Sequence, residues 1–385
     1  MLELGVDEIT LVLQLPTVNK SLLSVSDWRD IAEYLIHKFE KKSDVLNIFG
    51  EKESEPKSPA GYTVAYKYGE HNFYFAVAYH EFMIDMGVVI KFSAQALDFY
   101  LESTGIRVYQ FLQMVSCADY EQRLSRIDLT ADFIDEDVDI SEIYQTLMDK
   151  KVAIFREQYN ARIGKKEYRK VPMKFKGIIT GEEVGTIYVG SEKSNSRLRV
   201  YDKKTEQISN KGNKLDKALQ CKNWVRFEGV FRNEYAHQLS SALMNIQNDD
   251  EFGNLIASTI YQKYLFMQID NGKADAPTYY AQMIIDCVYD SSFKLRASLT
   301  RNYELAKNIA YIFYGSGVMN TFYKLKEFWG MDAVMWVLEY IAEKLQDDYI
   351  PNDDCRYWIK KNKTDYLKDY PDFNKYVNDN LTKLL

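Results

Sequence analysis

Residues 186–204 read TIYVGSEKSNSRLRVYDKK, a pattern that predicts two short strands joined by a polar turn, with Tyr201 near the end of the second strand. Four cations lie near this tyrosine in the sequence: Arg197, Arg199, Lys203 and Lys204. Cations near a phenol favour the phenolate, which can attack phosphorus, and the same cations can hold a phosphate. Tyr201 is therefore a candidate nucleophile towards a phosphate ester.

Two further segments alternate polar and apolar residues in the same way: residues 126–133 read RIDLTADF, and residues 224–230 read WVRFEGV. Alternate residues of a strand share one face. Asp128 and Asp132 therefore lie on the polar face of the first strand, and Glu228 lies on the polar face of the second. If both strands adjoin the tyrosine strand, the three polar faces form one surface.

The carboxylates on this surface predict a site for a divalent cation, because such cations prefer oxygen ligands. Asp128 and Asp132 are about 13 Å apart on a straight strand, so both reach one ion only if the strand bends or a water intervenes. Either one can share an ion with a carboxylate of a neighbouring strand, such as Glu228. A purely structural role stays open for each: ion pairs of the aspartates with Arg126, and of Glu228 with Arg226.

Three of the nearby cations have a predicted catalytic role. Arg197, Arg199 and Lys203 alternate with the apolar residues of the tyrosine strand, so they share its polar face. There they would offset negative charge on a phosphate in the transition state, while a metal ion polarises the phosphoryl oxygen. A non-catalytic strand tyrosine among ordinary surface cations is the alternative.

The charge of the chain is uneven. The net charge is −7, yet residues 150–232 hold 21 Lys and Arg against 9 Asp and Glu, a local balance of +12. A basic centre in an acidic body predicts a track for a polyanion such as DNA. A solvated charged loop is the alternative reading of its most basic part. The predicted phosphate contacts in this part are Lys165, Lys166, Arg169 and Lys170.

The length of 385 residues and the apolar content of 46% allow two domains. Residues 1–240 predict the order β-α-β-β-β-α-α, then a strand, a helix and four strands. After about residue 240 the apolar residues recur at helical spacing. We therefore expect an α+β fold, with a domain based on an antiparallel sheet at residues 1–240 and a helical C-terminal region at residues 241–385.

The cysteines and the apolar segments indicate the compartment. The four cysteines are far apart and form no CxxC pair, which argues against a zinc site and a disulfide scaffold. The N-terminus has acidic residues where a signal peptide needs basic ones, and no apolar run approaches the roughly 20 residues that span a bilayer. We expect a cytoplasmic protein with no membrane partner.

Together, RIDLTADF, TIYVGS…RLRVYDKKTEQ and WVRFEGVFRNE resemble the Rep-trans family of replication initiators from rolling-circle plasmids. They also resemble the related relaxases of integrative conjugative elements in Gram-positive bacteria. The resemblance implies that Tyr201 nicks origin DNA and keeps the 5′ phosphate. It implies that Asp128, Asp132 and Glu228 bind Mg²⁺ or Mn²⁺. It further implies a homodimer and a host helicase as partner.

The resulting hypothesis is a metal-dependent DNA strand transferase, a site-specific endonuclease that nicks and rejoins origin DNA through a 5′-phosphotyrosyl intermediate. One alternative is a non-enzymatic DNA-binding regulator of a mobile element, which needs the basic centre but neither Tyr201 nor the acids. Another is a structural protein of a phage or mobile element that binds no nucleic acid. Metal-dependent nicking separates the first hypothesis from both alternatives.

Overall fold

The structure is a computed structural model that describes residues 1–16, 25–55, 59, 61–70, 75–160, 165–168, 172–180, 183–290, 293, 295, 305–314, 317–351 and 353–381. The chain forms two compact units, Met1–Arg296 and Ala297–Leu385.

The first unit contains all the strands of the described residues and ten of their helices. The strands are β1 (Leu2–Gln14), β2 (Glu53–Ser54), β3 (Val64–Tyr68), β4 (Phe75–Tyr79), β5 (Val88–Phe92), β6 (Glu121–Ile134), β7 (Val152–Phe155), β8 (Glu157–Asn160), β9 (Lys165–Tyr168), β10 (Phe175–Thr180), β11 (Glu183–Val189), β12 (Ser196–Asp202), β13 (Trp224–Arg232), β14 (Leu265–Asp270) and β15 (Lys273–Pro277). The helices are α1 (Val25–Ser43), α2 (Val45–Phe49), α3 (Ala94–Thr104), α4 (Val108–Val115), α5 (Ile140–Met148), α6 (Lys203–Asn210), α7 (Leu215–Gln220), α8 (Glu234–Leu243), α9 (Asp249–Lys263) and α10 (Tyr279–Asp286).

Ten strands form one antiparallel sheet in the order β10-β11-β12-β13-β6-β1-β5-β4-β3-β2. Strands β15, β14 and β7 form a smaller sheet, and β8 pairs with β9. The predicted α+β class and antiparallel sheet are confirmed. The three motif strands β12, β13 and β6 are direct neighbours, as the sequence hypothesis required.

The alternation of residues along β6 explains how the large sheet separates its two faces. Ile127, Leu129 and Phe133 are buried in the main hydrophobic core. Helices α8 and α9 pack against this strand and its neighbours β13 and β1. The polar residues between the apolar ones lie on the opposite face, because successive side chains of a strand alternate. The whole polar surface is thus supported from behind by a packed core.

The turn between β11 and β12 depends on a glycine. Gly190 has φ 93°, a region that residues with a Cβ rarely adopt. The turn returns the chain antiparallel, so that Tyr188 of β11 pairs with Arg199 of β12. This confirms the two strands and polar turn predicted at residues 186–204.

Strand β1 is paired on both sides over only part of its length. β5 pairs with β1 from Ile9 to Leu13 and leaves the sheet after Phe92, since Ser93 caps the helix α3 that follows. β6 pairs with β1 from Leu2 to Gln14. Residues 2–7 of β1 therefore have a strand on one side only among the described residues.

The structure differs from the sequence prediction in the unit boundary and in the segment between two predicted helices. Predicted helices at 252–266 and 277–288 are α9 and α10, but the hairpin of β14 and β15 lies between them. The first unit extends to residue 296 rather than 240. The physical reason is that α8 and α9 bury Leu239 and Ile256 in the core behind the large sheet. The change to helical spacing near residue 240 thus marks the start of further helices of the first unit and not the end of that unit.

The second unit is helical in its described part, as predicted for the C-terminal region. Ala306, Tyr376 and Leu381 form its small buried cluster. Its helices are α11 (Leu305–Tyr314), α12 (Val318–Trp329), α13 (Met331–Asp347), α14 (Asp353–Asp369) and α15 (Phe373–Tyr376), followed by a π-helical turn at Val377–Leu381. Among the helices that the structure describes in either unit, none is both long and apolar enough to cross a bilayer.

Candidate active site

The polar face of β12, β13, β6 and β1 holds the predicted tyrosine, two of the predicted cations and the three predicted acids: Tyr201, Arg197, Arg199, Asp128, Asp132 and Glu228. Lys203 was predicted on the tyrosine strand, but β12 ends at Asp202 and Lys203 is the first residue of α6. Tyr201 pairs in register with Arg226, which pairs with Asp132. In the next row Arg199 pairs with Glu228, which pairs with Thr130. The predicted common surface is therefore present, and β1 adds a fourth strand to it.

Tyr201 is half-buried on this face, and its hydroxyl donates a hydrogen bond to Glu228 Oε2 at 3.0 Å. Burial, followed by the nearby Glu228 carboxylate, raises the pKa of Tyr201 well above its ordinary value, even though Arg226 and Arg199 act in the opposite direction. The sequence had predicted that the cations would favour the phenolate. That prediction is wrong for this state of the protein, because desolvation and a neighbouring acid outweigh the arginines.

Glu228 is fully buried and joins Tyr201 to Arg199, whose Nη2 donates to Glu228 Oε1. Burial and the neighbouring Asp7 raise the pKa of Glu228 to about 7, although Arg199 lowers it. A carboxyl group with a pKa near neutrality can exchange a proton with a bound phenol. Glu228 is thus within hydrogen-bond distance of the Tyr201 phenol, with which it could exchange a proton on this face.

Asp128 is also fully buried, and Arg126 grips it through two hydrogen bonds, Nε to Oδ1 at 2.9 Å and Nη2 to Oδ2 at 2.7 Å. Arg126 Nη1 also donates to Glu8 Oε1 at 2.6 Å. Burial raises the pKa of Asp128 despite Arg126. Arg199 Nη2 lies 3.9 Å from Asp128 Oδ2, so one guanidinium connects Asp128 with Glu228.

Asp132 belongs to a different group on the same face. Arg226 donates Nε and Nη2 to the two oxygens of Asp132, both at 2.7 Å, and donates Nη1 to Asp7. Burial alone would raise the pKa of Asp7, but Arg226 and Lys203 lead a set of cations that hold it below its ordinary value. The structure therefore separates Asp132 from the contacts between Tyr201, Glu228 and Asp128.

Two of the predicted catalytic cations also have other partners. Arg197 Nη1 donates to Glu192 at 3.2 Å, and its guanidinium lies 3.9 Å from the centre of the Tyr188 ring. Lys203 is buried, and its Nζ lies 2.9 Å from Glu206 and 5.8 Å from the centre of the Tyr201 ring. Of the predicted cations, Arg199 alone shares an acidic partner with the tyrosine in the described residues.

The side chains of the four predicted DNA-contacting residues fall outside the described part of the structure. Lys165 and Lys166 are on β9, a strand whose side chains fall outside the described part. Arg169 and Lys170 lie outside the described residues altogether. All four remain sequence predictions.

Sequence reasoning missed the contribution of β1, which supplies Asp7 and Glu8. The register of β1 and β6 shifts between Val6 and Glu8, where a β-bulge inserts one extra residue. The bulge allows two consecutive acidic residues to reach arginines of the polar face. Strict alternation would have sent them to opposite faces, so the only sequence signal was two consecutive acids within a predicted strand.

The described residues contain no cluster of three or more His, Cys, Asp or Glu arranged to hold a metal ion. The ligand type nevertheless fits a hard cation, since Asp128 and Glu228 are buried carboxylates in mutual contact. Burial raises the pKa of both groups, although arginines lower it, and a bound cation would act in the same direction as the arginines. A cation is therefore compatible with the chemistry of this position.

The fold and site define a class of protein: a large antiparallel sheet that presents a tyrosine, arginines and buried carboxylates from adjacent strands. The Rep_trans family, described as replication initiation factor, matches residues 122–310, a segment that includes all three sequence motifs. The resemblance predicted from these motifs is thereby confirmed. No curated protein matches the chain.

A solved structure has the same fold. The chain is similar to the rolling circle replication initiator protein from Geobacillus stearothermophilus, with a TM-score of 0.51 and 17% sequence identity. The match covers 74% of this chain and 97% of that one. At this identity the likeness concerns the fold.

Proposed function

We propose that this protein is a rolling-circle replication initiator that nicks and rejoins origin DNA with Tyr201 as the nucleophile. The observation that carries the proposal is the hydrogen bond of 3.0 Å between Tyr201 and Glu228, within the segment that matches the replication initiation factor family. A nucleophile hydrogen-bonded to a base that a third group orients is one arrangement by which covalent catalysis activates a nucleophile.

The proposed step transfers one phosphodiester from DNA to tyrosine. Glu228 Oε2 removes the phenolic proton as the Tyr201 oxygen forms a bond to phosphorus. The bond between phosphorus and the 3′ oxygen of the preceding nucleotide breaks, and its electron pair stays on that oxygen. The proton held by Glu228 then neutralises this oxygen, which leaves as a 3′-OH. The products are a 5′-phosphotyrosyl strand and a free 3′ end.

Arginines and a divalent cation support this transfer in the proposal. Arg199 contacts Glu228, and it would neutralise an oxygen of a phosphate bound beside Tyr201. Arg197 and Lys203 would act at longer range. Asp128 and Glu228 would hold Mg²⁺ or Mn²⁺, with Asp132 as a third acid nearby, and the ion would supply charge neutralisation at the phosphate when bound.

The reaction is reversible because the bond energy is retained in the phosphotyrosyl link. Attack by a 3′-OH on this link regenerates the DNA backbone and returns the proton to Tyr201. Rejoining after a round of replication, as in an initiator or a relaxase, uses the same residues. A host helicase and a second copy of the chain are the partners that the family resemblance implies.

The decisive experiment is direct detection of the covalent intermediate. The protein is incubated with Mn²⁺ and single-stranded DNA from the origin region of the element that encodes it, then digested and analysed by mass spectrometry. We expect a DNA-linked peptide that contains Tyr201. An adduct on a different tyrosine would refute the assignment, and DNA binding without any adduct would favour a non-enzymatic regulator.

The basic segment is tested by its salt dependence. Neutralising Lys165, Lys166, Arg169 and Lys170 together should weaken single-strand binding and reduce the slope of log affinity against log salt by up to about 3, since each phosphate contact contributes about 0.7. Fluorescence anisotropy at several salt concentrations measures the slope. An unchanged slope would remove these residues from the DNA path.

A further inference from the structure

A cleft of about 580 Å³ lies beside the candidate active site, along the unpaired edge of β1. Its lining includes Glu3, Gly5 and Asp7 from β1, together with Asp132 and Arg226 from the active-site face. Residues of α3, of α4 and of the segment between them, including Asp98 and Arg107, form another wall. The β1-edge cleft is thus continuous with the polar face and has a second wall of its own.

The position of the cleft relative to the nucleophile follows from the strand register. Tyr201, Arg226, Asp132 and Glu3 are consecutive partners across β12, β13, β6 and β1. Neighbouring strands are about 4.8 Å apart, so Asp132 at the cleft is roughly 10 Å from Tyr201 along the sheet. A DNA strand with its phosphate at Tyr201 would reach the cleft with one of the next nucleotides.

The chemistry of the cleft favours a base over a phosphate. Among the described residues, six acidic and three basic side chains line it, so it repels a phosphate. Residues 2–7 of β1 have no strand partner, among the described residues, on the edge that faces away from β6. This edge presents backbone donors and acceptors of the kind that read the edge of a base.

One carboxylate that lines the cleft, Asp98, has an oxygen available to accept from an amino group. Asp98 uses Oδ2 to accept from both Lys214 Nζ at 2.7 Å and Asn213 at 3.1 Å. Its Oδ1 has no partner among the described residues. A carboxylate accepts from the exocyclic amino group of a base, while a neighbouring lysine suits the carbonyl or ring nitrogen beside it. Thymine lacks that amino group.

We propose that the β1-edge cleft binds one unstacked nucleobase that carries an exocyclic amino group, next to the phosphate that Tyr201 attacks. This inference rests on the proposed function and assigns sequence selectivity to the same site. Gly5 and Thr130 both line the cleft, and a Cβ at residue 5 would lie 3.3 Å from Thr130 Oγ1. A larger side chain at residue 5 would therefore crowd this part of the cleft.

In the first test, the DNA that becomes covalently linked to the protein is sequenced. Wild-type protein, Gly5→Val and Gly185→Val are incubated with Mn²⁺ and a single-stranded DNA library randomised at its central positions. Gly185 is an exposed glycine on β11 away from the cleft, so it controls for the same substitution in a strand. We expect wild type and Gly185→Val to disfavour thymine about tenfold at one position close to the linked phosphate, and Gly5→Val to lose this preference.

A second test does not depend on nicking. Equilibrium binding of short homopolymers of deoxyadenylate, deoxycytidylate and thymidylate should show weaker binding of thymidylate by wild type and Gly185→Val, and equal binding by Gly5→Val. Wild-type adducts without a base preference, or a preference that survives in Gly5→Val, would overturn the base site while leaving the nicking proposal intact. If no adduct forms, the nicking proposal fails, and equal wild-type binding of all three homopolymers would overturn the base site as well.

Discussion

Two groups of charged residues lie side by side on the same sheet face and differ in how well their charges balance. In the first, the buried Arg226 is shared by Asp132 and Asp7, and the pKa of Asp7 is lowered. In the second, Tyr201 and Arg199 both contact Glu228, and the pKa values of Tyr201 and Glu228 are raised. The first group is held charged, and the second resists carrying negative charge.

This difference separates scaffold from chemistry. A buried arginine that is hydrogen-bonded to two carboxylates links three strands, and the arginine itself stays protonated at neutral pH. A buried glutamate with a pKa of about 7 beside a phenol can exchange a proton. The two groups share residue types and strands, so the balance of burial and countercharge is what distinguishes them.

The largest effect is expected from Tyr201→Phe. Removing the hydroxyl removes the nucleophile, so covalent nicking should fall by about 10⁴-fold or more, while DNA binding stays within about twofold. Denaturing gel analysis of adducts and anisotropy measure the two quantities. Tyr188→Phe on the adjacent strand β11 is the matched control and should nick normally. Adduct formation by the Tyr201→Phe protein would contradict the assignment.

Glu228→Gln should reduce nicking by about 10²- to 10⁴-fold, the usual contribution of a general base. The wild-type rate should rise with pH while Glu228 titrates and then level off, because Glu228 must be ionised to accept the proton; burial places this rise near pH 7, and a bound cation would move it to lower pH. The rate of the Glu228→Gln variant should not show this rise with pH. Single-turnover rates between pH 5 and 9 provide the measurement, and an unchanged rise with pH in the variant would assign the base to another group.

Arg226→Met tests the scaffold group and should act on stability. It leaves Asp132 and Asp7 without their shared cation, which costs about 3–5 kcal/mol of unfolding free energy. Arg126→Met is the matched comparison: it also removes a shared cation, from Asp128 and Glu8, but its side chain is 23% exposed against 4% for Arg226. Urea unfolding should show a smaller loss for Arg126→Met. Equal losses would mean that burial does not distinguish the two arginines.

The sequence predicted the group around Tyr201 and Glu228 better than the group around Arg226. Period-two alternation was enough to place Tyr201, Glu228 and Asp128 on one surface, because it reports directly on strand faces. It could not show that Asp132 contacts Arg226 instead, since that depends on the strand register. It also missed Asp7 and Glu8, because only a β-bulge lets these two consecutive acids reach the same face, and it gave the wrong direction for the pKa shift of Tyr201 because burial is a tertiary property.

The smallest effect is a difference in the pH dependence of stability, and the two groups should show it with opposite sign. Burial raises the pKa of Glu228 from 4.5 to about 7, so its contribution to stability is fully present below pH 4.5 and is lost as pH rises through 7. Relative to wild type, Glu228→Gln should therefore gain on the order of 1–3 kcal/mol between pH 4.5 and 8. Urea unfolding in EDTA measures this change. A difference in unfolding free energy from wild type that stays constant with pH would show that the pKa of Glu228 is not raised by folding.

Asp7→Asn is the matched test in the other group, because the pKa of Asp7 is lowered from 3.8. The contribution of Asp7 to stability is present above pH 3.8 and is lost as pH falls through its folded pKa. The difference between wild type and this variant should therefore be flat from pH 5 to 8 and shrink only below about pH 4. If both variants changed in the same pH window, the contrast between a charged scaffold and a proton-exchanging site would not hold.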